Sequence, residues 1–238
     1  MNYFSPNQCG ISTINTDKMK MKRLCNFRVG FILFIGLILN FLNAKAQIYG
    51  EYQSARVLGK GRVEATGYYT SATINYNGDS QRIFNFLGLQ TGIGLGERFD
   101  LRIRYDRLYY VDSEIGEGSN LVSLAPKYSL LKDKISATLP IFLMFSEYGS
   151  GNWQLQPALL FSLPMSEKVE LTFTPKYFIS FDDEYEGGII SLNLGLAIGK
   201  LGEWAIRPET GLMFKPGEEG SFWNYGLGAS RTFGKVKQ

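Results

Sequence analysis

The chain has 238 residues, with 25 Lys and Arg against 22 Asp and Glu, two Cys, no His and a mean hydropathy of −0.09. That composition excludes both a disordered tail and a bundle of membrane helices, and the length suits one domain. The lack of histidine excludes Ser-His-Asp hydrolysis, Cys-His proteolysis and His-ligated zinc catalysis.

Lys18, Lys20, Lys22, Arg23 and Arg28 form a basic stretch ahead of the apolar run Val29 to Leu42, which ends at Ala44-Lys45-Ala46. A basic region, an apolar region and a small-x-small site form the three parts of a secretory signal peptide, so residues 1–46 read as a leader and Gln47 as the mature start. A single membrane anchor is the alternative, but this run of about 14 residues falls short of the roughly 20 that span a bilayer. Met1 to Asp17 is long and polar for a leader, which makes Met19 or Met21 a candidate start. Cleavage removes six basic residues and one acid, leaving 19 against 21, so the mature chain is slightly acidic and has no basis for nucleic-acid binding. Both cysteines leave too, which excludes a disulfide scaffold; Cys25 precedes the apolar run, the wrong order for lipid attachment.

Residues 47–60 form a short N-terminal segment whose role the sequence leaves open, and from residue 61 the dominant period is two. Val169, Leu171, Phe173, Pro175, Tyr177, Ile179 and Phe181 alternate with Glu170, Thr172, Thr174, Lys176, Phe178 and Ser180. Phe99, Leu101, Ile103 and Tyr105 alternate with the charged set Asp100, Arg102, Arg104 and Asp106. A strand sends such sets to opposite faces. Similar segments run over 62–74, 85–95, 122–130, 135–145, 153–163, 190–198, 204–214 and 222–233, giving ten candidate strands, although eight stays open.

The connections alternate as well. Residues 96–98, 131–134, 164–168 and 199–203 are short turns, whereas 75–82, 110–120, 146–152, 182–187 and 215–220 are longer or more acidic. Transmembrane barrels carry short turns on the periplasmic side and longer loops outside. Hydrocarbon offers no partner to an unpaired amide, so strands cross it only as a closed sheet. The predicted fold is therefore an all-β, antiparallel, up-and-down transmembrane barrel over 61–238, with the apolar parity on lipid and the polar parity in the lumen. Tyr109, Tyr110, Phe145, Trp153, Phe181, Trp204, Phe214 and Trp223 fit interfacial girdles. Pro126, Pro140, Pro157, Pro175 and Pro208 fall inside strands and predict bulges in the wall. Arg231 on the apolar parity implies either a register shift or a reach into the headgroup zone.

The leader, the dyad repeat, the turn asymmetry and the terminal aromatic Phe233 together resemble the small outer-membrane β-barrel proteins of Gram-negative bacteria, including porin-like members. Gln53 to Glu64 and the turn Gly94-Leu95-Gly96-Glu97-Arg98 look like recurrent features of that group. Phe233 departs from the pattern because five residues follow it. The resemblance implies a location in the outer membrane, contact with its lipid and lipopolysaccharide, and handling by the barrel-assembly machinery. It implies no catalytic residue, cofactor or metal.

Asp100, Arg102, Arg104, Asp106, Lys127, Glu170, Lys176, Arg207 and Glu209 share the polar parity and are the candidate lumen-lining residues that would set selectivity. A ten-stranded barrel has a backbone radius on the order of 10 Å, which favours a plugged or very narrow lumen. Asp79, Asp112, Glu114, Glu117, Glu147, Asp182, Asp183, Glu184, Glu186, Glu218 and Glu219 make the outer loops acidic, without the spacing of a calcium loop. Gly92, Gly94 and Gly96 precede a strand and read as relief of crowding on the lumen side.

Three functions follow in order. The first is a non-enzymatic outer-membrane barrel, porin-like or structural, with small hydrophilic solutes or ions as the implied cargo. The second is an interaction or adhesion barrel whose acidic loops meet a partner or the lipopolysaccharide layer. The third is a secreted soluble barrel with inverted faces around an apolar ligand.

Overall fold

The computed structural model describes residues 50–111, 118–146, 149–181 and 188–234. The leader and the loop acids Asp112, Glu114, Glu117, Glu147, Asp182, Asp183, Glu184 and Glu186 lie outside the described residues. Period-two patterning forms the strands β1 (Val63–Tyr76), β2 (Asp79–Gly94), β3 (Phe99–Tyr110), β4 (Ser119–Leu131), β5 (Ile135–Thr138), β6 (Ile141–Ser146), β7 (Gly149–Leu155), β8 (Ala158–Pro164), β9 (Val169–Ser180), β10 (Ile189–Lys200), β11 (Trp204–Phe214) and β12 (Ser221–Phe233).

Every pairing among these strands is antiparallel. β1 pairs with β2 on one side and with β12 on the other, Val63 standing opposite Phe233, so the sheet closes on itself. β5 and β6 are one wall strand interrupted at Leu139 and Pro140, because Leu124 opposite Ile141 and Lys127 opposite Thr138 keep one register across the gap. β7 and β8 are likewise one strand interrupted at Gln156 and Pro157. The twelve strands therefore make the ten-stranded wall that the sequence predicts.

The prolines correct one expectation. Register shifts occur at Ala72/Thr73, Ser129/Leu131 and Met144/Phe145, none of them at a proline. A proline removes one N–H without adding a residue, so the ladder loses a bond and keeps its register. The carbonyls of Pro126, Pro140 and Pro157 still accept from the N–H of Leu139, Gln156 and Tyr177 at 3.0, 2.9 and 3.1 Å, which stitches the wall together through the gaps. The expected loop over 75–82 is also corrected. β1 and β2 run on until Tyr76 faces Asp79, joined by Asn77-Gly78 with φ of 51° and 84°. Both residues sit in the left-handed region, as a two-residue type I′ hairpin turn demands.

Along β3, Asp100, Arg102, Arg104 and Asp106 are buried, whereas Phe99, Ile103, Tyr105 and Tyr109 are exposed. The same division holds along β9, where Glu170, Thr172, Thr174 and Lys176 face in and Phe173 and Tyr177 face out. This orientation removes the inverted, apolar-ligand barrel from consideration. Arg231 is exposed on the outer face opposite Trp204, near the short-turn end, with no register shift beside it. Of the expected girdle aromatics, Tyr110 is displaced inward, where its ring meets Phe84 edge-on at 6.0 Å.

The inner face changes character with height. Toward the loop end the inward residues become apolar, and Ala72, Phe86, Leu108, Leu121 and Phe142 pack into a core, backed by Phe84, Tyr110 and Met144. A second small cluster joins Phe178 and Met213 to Ile189 and Phe222. The charged half of the lumen lies toward the short turns.

An outward apolar belt on a closed sheet predicts a depth-dependent penalty for charge. Ile103→Arg, in the middle of β3 and 47% exposed, should cost about 2–4 kcal/mol in bilayer-refolded protein, against about 0–1 kcal/mol for Leu130→Arg near the turn end of β4 and 53% exposed. Equal, near-zero penalties in denaturant titrations would mean that water, not lipid, bathes the belt.

Candidate functional site

Residues 50–61 do not join the wall. They enter the barrel at the short-turn end, where the N–H of Gly61 bonds the Gly94 carbonyl at 2.8 Å, and climb among the charged rows as a buried strap. The segment lacks a two-residue alternation and pairs with no strand, so its backbone polar groups need other partners in a confined space. The charged rows supply them.

The N–H groups of Glu51 and Tyr52 converge on one carboxylate, reaching Glu209 Oε1 and Oε2 at 2.6 and 2.7 Å. Successive amides aimed at one anion form a small nest, and Tyr52 holds the left-handed φ of 49° inside it. The N–H of Leu58 reaches both oxygens of Asp100 at 3.0 and 3.1 Å. Lys127 Nζ donates to the carbonyls of Ser54 and Arg56, at 2.6 and 2.5 Å. Arg104 donates to the Gly50 carbonyl. Ala55 is clasped by two hydroxyls: its N–H donates to Ser162 Oγ at 2.8 Å and its carbonyl accepts from Ser136 Oγ.

Side chains complete the grip. Glu51 Oε1 meets Lys176 Nζ at 2.9 Å, and Arg56 Nε meets Glu170 Oε2 at 2.7 Å. Tyr52 stacks on Tyr68, with ring centroids 4.4 Å apart, and its hydroxyl bonds Thr70 Oγ1. Tyr68 donates to Asp106 Oδ1 at 2.7 Å, and the Arg104 guanidinium forks onto the same carboxylate at 2.6 and 2.9 Å while lying 4.7 Å over the Tyr68 ring. Lower on the same two strands, nearer the short turns, Glu64 of β1 sits between Arg102 at 2.8 Å and Arg207 at 3.6 Å.

Small residues on the wall make room for the strap. A Cβ on Gly94 would stand 1.9 Å from the Gly59 carbonyl oxygen, and one on Gly226 would stand 1.6 Å from the Tyr52 hydroxyl. A Cβ on Gly92 would meet Leu58 at 3.1 Å, a tight contact and not an overlap, whereas Gly96 has open space around it and relieves no crowding.

The nine candidate lumen residues are all on the inner face, and each contacts either the strap or another inward charge. Glu64 was missed by sequence reasoning, although its position on the inner parity of β1 marked it. Glu51, Tyr52 and Arg56 were missed because no periodicity flags an unpaired segment. Of the predicted loop acids within the described residues, Glu218 and Glu219 are exposed, Glu218 pairing with Lys215, and Asp79 belongs to β2.

With Glu64 added, the wall presents five cations and five carboxylates, and the strap adds Glu51 and Arg56 among them, with Lys60 exposed at its lower end. Charges held in so narrow a space persist when each is paired and hydrogen-bonded. Chemically the arrangement is a lock: it fixes a peptide across the lumen.

No protein-family model matches the chain, and no curated protein matches it. Among solved structures it is similar to an outer membrane channel from Pseudomonas putida F1, at 13% identity and a TM-score of 0.43 over 79% of this chain and 100% of that one. It is similar also to the translocator domain of the autotransporter NalP from Neisseria meningitidis, at 13% identity and 0.41 over 74% and 89%, and to the N-terminal β-barrel domain of OprF from Pseudomonas aeruginosa, at 13% and 0.33 over 74% and 99%. By its own geometry, with no free edge among the described strands, an apolar belt outside and charges within, the chain has the architecture of an outer-membrane β-barrel.

Proposed function

We propose that the mature chain is a non-enzymatic β-barrel of the Gram-negative outer membrane, exported by the leader over 1–46, and that its lumen is closed at rest by the strap at 50–61. The observation that supports this reading is that the charged rows, which would otherwise line an aqueous path, are spent on the strap's backbone. The wall is porin-like, and the resting state is shut. Passage of small hydrophilic solutes or ions then requires the strap to withdraw toward the short-turn end, uncovering Arg104, Asp106, Lys127, Lys176 and Glu209 as the selective surface. The short turns face the periplasm in this reading, so the strap is reachable from that side. Lipid, lipopolysaccharide and the assembly machinery are the partners that the location implies.

In planar bilayers the intact protein should be silent at low voltage, and removal of residues 50–58 should yield discrete conductance steps. Arg104→Glu in that shortened chain should move the reversal potential toward cation preference. Steps of equal size and frequency in the intact chain would defeat the closed-lumen reading.

The anchor itself can be weighed separately. Glu209→Leu strands the N–H groups of Glu51 and Tyr52 and should lower stability by about 3 kcal/mol, read from the urea midpoint in micelles. Glu218→Leu, on the exposed loop, should leave that midpoint within about 0.5 kcal/mol.

A further inference from the structure

The strap does not use every charge at the short-turn end. Below it the barrel opens into a cavity of about 830 Å³, bounded by the strap's lower half, the turns at 97–98 and 132–133, and the inner ends of β1, β3 and β11. Its deep wall carries Arg102 and Arg207, which are 2% and 8% exposed. Arg56 and Arg62 flank its sides, and Lys60, Arg98 and Lys132 stand exposed at its rim. Against these seven cations the lining holds three carboxylates, Glu64, Glu97 and Asp133, an excess of four positive charges. Counting the neighbours behind the lining, Lys127 with Asp100 and Glu170, still leaves an excess of three.

The arginines are incompletely used. Arg102 spends its Nη1 on Glu64 and reaches Asp100 through Nη2 at 3.6 Å, but its buried Nε donates to nothing. Arg62 bonds the Gly202 carbonyl through Nη2, and its Nε is likewise buried without an acceptor. A guanidinium fork matches the geometry of carboxylate and phosphate oxygens. Deeper in the lumen the balance is reversed, with Arg104, Lys127 and Lys176 against Glu51, Asp100, Asp106, Glu170 and Glu209, so the positive surplus is confined to the mouth.

We propose that this mouth is a binding site for a small polyanion, a molecule bearing two or more phosphate or carboxylate groups, which seats against Arg102 and Arg207 and is drawn in by Lys60, Arg98 and Lys132. The volume exceeds that of one phosphate, which is why the class is a polyanion. The inference does not require the barrel to conduct. Positive charge focused by low-dielectric walls raises the local concentration of anions, so binding weakens as salt rises.

The test uses the mature protein in nanodiscs of phosphatidylcholine, titrated calorimetrically with tripolyphosphate and, separately, with citrate. Saturable, salt-sensitive binding is expected for at least one of them. The rim variant Arg98→Glu with Lys132→Glu removes four units of charge, equal to the whole excess, and should weaken binding at least tenfold. Both positions are exposed, and retained heat-modifiable gel mobility will show that the barrel still forms. Arg102→Lys keeps the charge, deletes the fork and should weaken binding about tenfold. A repeat in discs containing phosphatidylglycerol identifies the source of the anion: a response seen only there, and lost in the rim variant, assigns the phosphate to a lipid headgroup. Absence of saturable binding in both discs, or a rim variant that binds as the parent does, overturns the proposal.

Discussion

A charge buried inside a barrel must meet a counter-charge or a hydrogen-bonding partner, and that requirement organises this one. The polar parity of ten strands brings five cations and five carboxylates inward, together with hydroxyls and amides. Direct pairing satisfies some of them, as at Arg104 with Asp106 and Arg102 with Glu64. The remainder, including Glu209, Asp100 and Lys127, is met by backbone groups of the strap. Wall and strap are thus complementary in hydrogen bonding as well as shape, since each supplies what the other would otherwise leave buried and unmet.

Much of this was legible before any coordinates. Alternation in Val169 to Phe181 and Phe99 to Asp106 fixed faces, because the side-chain period of a strand is two and a slip of one residue would turn Arg102 and Arg104 outward. The strap was not legible, because a segment held by side chains leaves no periodic mark; Glu51 and Tyr52 gain their roles from Glu209, more than 150 residues away in sequence. The apolar inner half was obscured for a related reason. Phe86, Leu108 and Phe142 look like any strand residues, and only the height at which each meets its neighbours shows that they form an interior core. Asn77-Gly78 was a signal overlooked, since that dipeptide between alternating runs marks a two-residue hairpin.

The prolines show how a closed wall tolerates residues that a sheet interior normally refuses. Pro126, Pro140, Pro157 and Pro175 lie on successive wall strands, so the missing donors fall along one seam. Constant register across each gap means the barrel's circumference and tilt are unaffected, and closure is set by the long ladders on either side. The outer face along the seam forms a shallow apolar hollow with Phe99, Leu139 and Leu159 in its lining. A carbonyl lacking a donor there is screened from water by the same side chains that face lipid, so the seam lies where stitching bonds from Leu139, Gln156 and Tyr177 matter most.

Strap and mouth share their parts, which couples them. Ser54 to Lys60 form both the lower half of the strap and one wall of the basic cavity, and Arg56 reaches from that wall to Glu170. An anion held at Arg102 and Arg207 would sit beneath this segment, and by mass action any ligand that binds only the strapped form stabilises that form. Conversely, a strap drawn out of the lumen would carry Arg56 and Lys60 away and dissolve part of the cavity. If the strap withdraws as proposed, anion binding at the short-turn end and closure of the lumen would be linked, so a ligand of the mouth would bias the strap toward its seated position.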